Sequence, residues 1–71
     1  MKIKPTQEQI DKATLIMEII NESQESYLSQ HQLPFNYFDD DTDRQIVTAL
    51  LARNRQRLTI RINNDNTVEW F

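Results

Sequence analysis

The segment from Arg57 to Phe71 constrains the fold more than any other part of this sequence. Apolar and polar residues alternate on both sides of a short polar stretch, residues 63–66. A period of two is typical of a half-buried β-strand, and Asn and Asp tolerate the positive φ angles of tight turns. The segment is therefore predicted to form a β-hairpin with one apolar face. That face comprises Leu58, Ile60, Ile62, Val68 and Trp70.

The register of this hairpin is open from the sequence alone. One register pairs Ile60 with Trp70 and Arg61 with Glu69, and it leaves a short loop in which Asn66 takes a left-handed conformation. A shift of two residues keeps every face but changes the pairs. Because an isolated two-stranded hairpin is marginal in water, it must pack on helices, gain a strand or pair edge to edge with a second copy.

A long amphipathic helix is predicted from about residue 7 to about residue 29. Thr6 and Gln9 have the spacing of a capping box, in which each side chain accepts a hydrogen bond from the other residue's backbone N–H. Apolar residues then recur with the helical period along one face. This stripe comprises Ile10, Ala13, Ile16, Met17, Ile20, Tyr27 and Leu28.

Residues 30–40 are predicted to form a connector. Pro34 biases the residue before it toward an extended conformation, which separates the first helix from the second half of the chain. The aromatic segment 35–38 is expected to be a loop that packs on the core rather than an edge strand.

A second, shorter helix is predicted over about residues 42–53. Thr42 and Gln45 repeat the capping-box spacing, although Asp40 or Asp41 could cap the helix equally well. Asn54 suits the left-handed backbone position that often follows a helix. The apolar face comprises Ile46, Val47, Leu50 and Leu51.

These elements define an α+β fold in a single small domain, residues 1–71, with the hairpin (about residues 56–71) packed on the helices. A chain of 71 residues has a small core, and without cysteine no disulfide can reinforce it. We therefore expect a homodimer. The expected core comprises Ile10, Ile16, Met17, Ile20, Ile46, Val47, Leu50, Leu51, Leu58, Ile60, Ile62, Val68 and Trp70.

The composition excludes several classes of function. Glycine is absent, which rules out the glycine-rich loops that bind phosphate groups. No segment approaches about 18 uninterrupted apolar residues, and the N-terminus lacks the apolar run of a secretory signal. A soluble, cytoplasmic protein without membrane contact is the expectation, and the net charge of −3 gives it no general attraction to nucleic acid.

One acidic run has the spacing of a metal site. Asp39, Asp41 and Asp43 match the first three ligand positions of an EF-hand loop. However, the sixth position is Arg44 rather than glycine, and the twelfth is Leu50 rather than glutamate. The run is instead predicted to compensate the dipole of the second helix, and no metal is expected.

The remaining titratable residues do not form a catalytic constellation. His31 is the single histidine and has no cysteine partner. Glu18, Glu22 and Glu25 are predicted to form a solvated helix face, because paired acids need a buried pocket for general acid–base work. We therefore expect no catalytic residue, no cofactor and no enzymatic activity.

Leu15 and Ile19 are apolar residues outside the main stripe of the first helix. They lie one turn apart on its flank, so the helix is apolar around more than half of its circumference. Either this part of the helix is deeply buried within the monomer, or the two residues form part of a self-association or partner surface.

Basic residues concentrate around the start of the hairpin. Arg53, Arg55, Arg57 and Arg61 make up half of the 8 lysines and arginines. Such a patch can neutralise phosphates, and β-ribbons do enter DNA grooves. Arginine is equally favoured at protein interfaces and in carboxylate pairs.

The outward face of the hairpin also carries Glu69 and the terminal Phe71. Phe71 is a candidate contact residue that could stack on a base, or it could fold over an arginine side chain. The leading hypothesis is a small non-catalytic protein-interaction module, an accessory subunit or an inhibitor of a larger protein, acting as a homodimer. The alternative is a nucleic-acid-binding regulator that uses the arginine-bearing hairpin.

Overall fold

The computed structural model describes residues 4–23, 28–34, 37–55 and 57–71. They form an α+β fold of two helices and three strands. The helices are α1 (Gln7–Ser23) and α2 (Asp41–Asn54), and the strands are β1 (Ser29–Gln32), β2 (Ile60–Ile62) and β3 (Thr67–Trp70). The predicted fold class is confirmed.

The three strands form one antiparallel sheet in the order β1-β3-β2. Of the registers left open by the sequence, the hairpin adopts the one with Ile60 opposite Trp70 and Arg61 opposite Glu69. Asn66 has a φ of 64°, as the three-residue loop requires. The hairpin therefore both packs on the helices and gains a third strand, because β1 pairs with the other side of β3.

Both helices begin at side-chain caps. At α1 the backbone N–H of Thr6 donates to Gln9 Oε1 at 2.9 Å, and the N–H of Gln9 donates to Thr6 Oγ1 at 3.2 Å. The predicted capping box is thus complete. At α2 the cap is Asp40, whose carboxylate accepts from the N–H of Asp43 at 2.8 Å. Asp40 was one of the alternatives open from the sequence.

The core lies between the helices and the inner face of the sheet. Val47 and Leu51 of α2 are fully buried against Val68 and Trp70 of β3, with Ile16 of α1 beside them. Most of the expected core is confirmed. Fully buried are Ile16, Ile20, Val47, Leu51, Val68 and Trp70, and partly buried against them are Met17, Leu50, Leu58, Ile60 and Ile62.

Three expectations about the core need correction. Ile10 is exposed over 40% of its surface, because it lies at the edge of the apolar stripe rather than at its centre. Ile46 is partly buried but does not belong to the residues that pack against the buried core. Ala13 and Leu33 are buried although the expected core omitted them; Leu33 follows directly after β1.

The predicted bounds of the first helix and the connector were also wrong in part. In the described residues α1 ends at Ser23, whose hydroxyl donates to the carbonyl oxygen of Ile20 at 3.1 Å. Leu28 has a φ of 52°, and Ser29 already belongs to β1, so neither is helical. The hydrogen bond from the Ser23 hydroxyl to the backbone competes with continuation of the helix.

Other expectations fall partly outside the described residues. Glu25, Tyr27 and the range 35–36 lie there, so the predictions made for them stay predictions. Tyr37 and Phe38 are not in a strand, as expected for an aromatic loop. Asn54 closes α2 without a positive φ; the next residue, Arg55, has φ −129° and donates its N–H to the Leu51 carbonyl oxygen at 2.9 Å.

Candidate interaction surface

A buried ion pair joins the N-terminal halves of the two helices. Lys12 Nζ lies 2.8 Å from Asp43 Oδ2, and the two side chains are only 11% and 6% exposed. Glu8 at 3.6 Å and Asp39 at 4.0 Å add two exposed carboxylates around the same ammonium group. We call these residues the interior cluster.

The surroundings of the interior cluster hold both charges in place. Asp43 Oδ2 also accepts a hydrogen bond from the N–H of Asp39 at 3.1 Å. Tyr37 donates its hydroxyl to the carbonyl oxygen of Lys12 at 3.1 Å, and its ring centroid lies 5.8 Å from Lys12 Nζ. Each buried charge is therefore both paired and hydrogen-bonded, which a buried ion pair requires to be stable.

The titration of these groups follows from their environment. Burial alone would raise the pKa of Asp43, but hydrogen bonds from Lys12, the Asp39 N–H and Gln9, with the charge of Lys12, outweigh it and lower the pKa below 3.8. Burial would likewise lower the pKa of Lys12, but the hydrogen bond and charge of Asp43 raise it above 10.5. Burial raises the pKa of Tyr37 above 10.0. All three groups are thus held in their neutral-pH forms.

The polar groups of the interior cluster are paired within the fold. Among the described residues, no buried side-chain nitrogen or oxygen lacks a hydrogen-bond partner. Within the same ranges, no group of three or more His, Asp or Glu residues is placed to hold a metal ion. Asp39 and Asp43 are held by Lys12, and Asp41 pairs with Arg44. The acidic run therefore caps α2 and binds the helices together.

The α1 flank, defined as Leu15 and Ile19, lies outside the buried face of the helix. Leu15 is 42% exposed, whereas Ile19 is half-buried and packs against the core. The sequence left two interpretations open, namely deep burial within the monomer and an exposed partner surface. Each of them describes one of these two residues. Ile19 closes one side of the core, and Leu15, one turn earlier, presents its side chain to the surface.

A shallow groove runs from the α1 flank to the edge of the sheet. It is lined by Ile19 and Glu22 of α1, by Gln30 and His31 of β1, and by Trp70 of β3. His31 lines this groove and is exposed.

The arginines predicted as contact residues separate into two groups. Arg53 and Arg57 are exposed, and Arg53 borders an apolar groove of about 410 Å³ along α2. Arg55 is half-buried and donates its Nε–H to the sulfur of Met17 at 3.1 Å. Arg61 lies on the outer face of the sheet. The structure does not bring the four together into one patch with shared contacts.

The outer face of the sheet carries a second charge cluster. Arg61 Nη1 lies 3.9 Å from Glu69 Oε2, which also accepts a hydrogen bond from Asn63 Nδ2 at 3.1 Å. The guanidinium carbon of Arg61 is 5.8 Å from the ring centroid of Phe71. Phe71 therefore packs with an arginine side chain, one of the two arrangements considered from the sequence. We call these residues the outer-face cluster.

The sequence contained a signal for Asp43 that the pattern of acidic residues obscured. Asp43, Val47 and Leu51 follow each other at intervals of four, so they share one face of α2, and all three are buried. A carboxylate on an apolar helix face needs a cation from another element. Lys12, at the margin of the apolar stripe of α1, is that cation.

Comparisons with known proteins identify no relative for this chain. No protein-family model matches the sequence, and no match was found among curated proteins or among solved structures. In the described ranges, neither helix has the length and apolar character needed to cross a membrane. The surfaces described above are therefore the basis for any functional conclusion.

Proposed function

We propose that this protein is a small non-catalytic protein-interaction module, an accessory subunit or inhibitor of a larger protein, that acts as a homodimer. The observation that carries the proposal is the α1 flank. Leu15 is 42% exposed on a helix whose opposite face is fully used by the core. Together with the half-buried Ile19 one turn later, Leu15 supplies apolar surface that a partner protein would cover.

Two further observations support a binding role over a catalytic one. The one strongly buried charged group in the described part of the chain, Asp43, is satisfied by Lys12 and by the backbone N–H of Asp39. The grooves are shallow surface features beside α1 and α2, without converging polar groups in a closed pocket. Binding energy in such a protein comes from surface area and not from a reactive centre.

The nucleic-acid alternative rests on fewer available groups. Arg61 is engaged by Glu69 and Phe71, and Arg55 contacts Met17. Arg53 and Arg57 are exposed, which leaves a short basic surface in a chain of net charge −3. The affinity for nucleic acid grows with the number of cations that contact its phosphates. Because few arginines are available here, the nucleic-acid alternative has less support than protein binding through the α1 flank.

The test is affinity capture with the tagged full chain from native lysate, with and without nuclease, at low and moderate salt. The variant Leu15→Lys/Ile19→Lys should lose a captured protein that the wild type retains under all four conditions. The matched control is Thr14→Lys/Asn21→Lys, which adds the same charge to exposed positions on the other side of α1. The control should retain the partner.

The fold of each variant is checked by circular dichroism and by the fluorescence of the buried Trp70. If Ile19→Lys disturbs the core, the single variant Leu15→Lys carries the test, because Leu15 is largely exposed. Equal capture by wild type, flank variant and control would refute the proposal. Capture of nucleic acid that is lost on nuclease treatment or at moderate salt would support the alternative instead.

A further inference from the structure

Strand β1 lies at one edge of the sheet. The direction of its backbone N–H and C=O groups determines what can bind there. The N–H of Leu33 donates to the carbonyl oxygen of Asn66 at 3.0 Å, one step beyond the β1–β3 ladder. Backbone groups of an antiparallel strand alternate in direction, so those of His31 also point to β3, and those of Gln30 and Gln32 point away. Within the described ranges, no strand lies on that side.

The accessible edge is short and has clear ends. Leu28, before β1, has a φ of 52° and is not extended. Pro34, after it, has no backbone N–H to offer. The edge therefore consists of Gln30 and Gln32, each of which presents one N–H donor and one carbonyl acceptor. A ligand that satisfies both residues must itself be an extended backbone.

The two edges of the sheet differ in their protection. Strand β2, at the other edge, carries the exposed Arg61 at its centre. Charged side chains on an edge discourage a second strand, and pairing two copies of β2 would bring two arginines together. Strand β1, residues Ser29–Gln32, contains no lysine, arginine, aspartate, glutamate or proline. Of these two edge strands, β1 is the one that lacks protecting residues.

We propose that β1 pairs antiparallel with β1 of a second copy of this chain, so that the two sheets form one continuous sheet. The second copy fits because an edge strand is complementary to itself about a twofold axis. It also fits chemically, because Glu22 lines the groove beside β1 and an incoming β1 brings its own His31 to that groove. The inference deepens the proposed function by naming the partner and the contact of its homodimer.

The ends of the edge fix the register. Placing Gln30 opposite Gln32 of the second copy uses both outward-facing residues on each strand. Centring the pair on Gln30 would require Leu28 to be extended, and centring it on Gln32 would require an N–H from Pro34. The favoured register therefore places His31 directly opposite His31 of the second copy, in a non-hydrogen-bonded pair.

This arrangement also places the α1 helices of both copies together. A twofold axis through an antiparallel strand pair is perpendicular to the sheet, so both helices lie on the same face. Ile19 borders the groove beside β1, so the α1 flanks of the two copies lie on either side of that axis. A larger protein would then meet a doubled apolar surface.

Site-specific cross-linking tests the register. The chain has no cysteine, so His31→Cys introduces a single thiol at the twofold axis, where the opposed Cα atoms fall within the range of a disulfide. The matched control is Arg61→Cys, which occupies the central position of the opposite edge. Under mild oxidation we expect His31→Cys to form a disulfide dimer about tenfold faster or more than Arg61→Cys. Equal rates, or a faster Arg61→Cys, would overturn the proposal.

A second pair of variants tests the backbone contact itself. Gln30→Pro removes an N–H that points away from β3, a position where an edge strand tolerates proline. Gln30→Thr keeps that N–H and serves as control. By analytical ultracentrifugation, the dimer dissociation constant of Gln30→Pro should be about tenfold or more weaker than that of wild type, with Gln30→Thr close to wild type. A wild type that stays monomeric near 1 mM, or equal constants for all three, would refute the edge contact.

These outcomes are separable from those of the proposed function. Leu15→Lys leaves the backbone of β1 intact and should leave the dimer in place while it weakens capture of a larger protein. Gln30→Pro should weaken the dimer first. A Leu15→Lys variant that keeps full capture would refute the proposed function alone, and a Gln30→Pro variant that keeps the wild-type dimer would refute the β1 contact alone.

Discussion

The interior cluster and the outer-face cluster are both built around a pair of opposite charges, and burial separates them. Lys12 and Asp43 are 11% and 6% exposed and lie 2.8 Å apart. Arg61 and Glu69 are 65% and 24% exposed and lie 3.9 Å apart. The first pair spans two helices that are distant in sequence, whereas the second spans two strands of one hairpin.

The same kind of contact has different energetic consequences in the two places. Water screens an exposed pair, and holding two long side chains in one geometry costs entropy, so such pairs contribute about 0 to 1 kcal/mol. A buried pair contributes little against an apolar replacement, but each partner depends on the other once both are buried. The interior cluster therefore determines whether α1 and α2 pack correctly.

The largest expected effect comes from breaking the interior pair. Asp43→Ala should lower the free energy of unfolding by about 3 to 5 kcal/mol, because Lys12 loses its buried partner. The control is Asp41→Ala in the same acidic run, whose side chain is 81% exposed and which should cost less than about 1 kcal/mol. Urea unfolding followed by Trp70 fluorescence measures both.

A variant that lacks both charges shows why Asp43→Ala loses stability. The cause is either a buried lysine without its partner or the loss of packing around Asp43. In Lys12→Met/Asp43→Ala no buried charge remains, so part of the stability lost in Asp43→Ala should return. A double variant no more stable than Asp43→Ala would contradict the assignment of that loss to a lysine that lacks its buried partner. A single variant as stable as wild type would remove the contrast between the two clusters altogether.

A smaller effect is expected from pH, which removes the charge of Asp43 but keeps its carboxyl group. The pKa of Asp43 is lower in the folded state than its ordinary 3.8. The contribution of this group is therefore present above about pH 3.8 and is lost as the pH falls through the lower folded value. Compared with wild type, Asp43→Asn should show a shallower loss of stability in this acidic window.

At alkaline pH the stability changes with pH in the opposite direction. The pKa values of Lys12 and Tyr37 are raised in the folded state, so their contributions are present below pH 10 and are lost as the pH rises through the raised values. Tyr37→Phe removes one of the two groups and should reduce this pH dependence in part. Identical alkaline profiles for Tyr37→Phe and wild type would show that the tyrosine is not linked to folding.

The residues of the outer-face cluster could be identified from the sequence because they are close to one another along the chain. Alternation within β2 and β3 predicted which side chains share a face, and the pairing of Arg61 with Glu69 was one of the registers left open by the sequence. The capping box of Thr6 and Gln9 was equally local. Features determined by neighbours within a few residues can be predicted from periodicity and spacing.

The interior cluster and β1 could not be predicted in the same way. Lys12 and Asp43 are 31 residues apart, and helical periodicity places each on a face without naming its partner. Strand β1 reads Ser-Gln-His-Gln, which has neither apolar alternation nor strong β propensity. It is held by β3 and by the turn, where Gln32 Nε2 donates to the Asp65 carbonyl oxygen at 2.8 Å. The tertiary contact, not the local sequence, makes it a strand.

The smallest expected effect comes from the outer-face cluster and completes the comparison. A double-mutant cycle of Arg61→Ala and Glu69→Ala should give a coupling energy of no more than about 1 kcal/mol, since the pair is exposed and 3.9 Å apart. Raising the salt concentration should reduce it further. The same cycle on Lys12 and Asp43 should give a larger coupling that salt hardly changes. Equal couplings at the two sites would mean that burial does not set the strength of these pairs, and the interior cluster would then lose its claim to organise the fold.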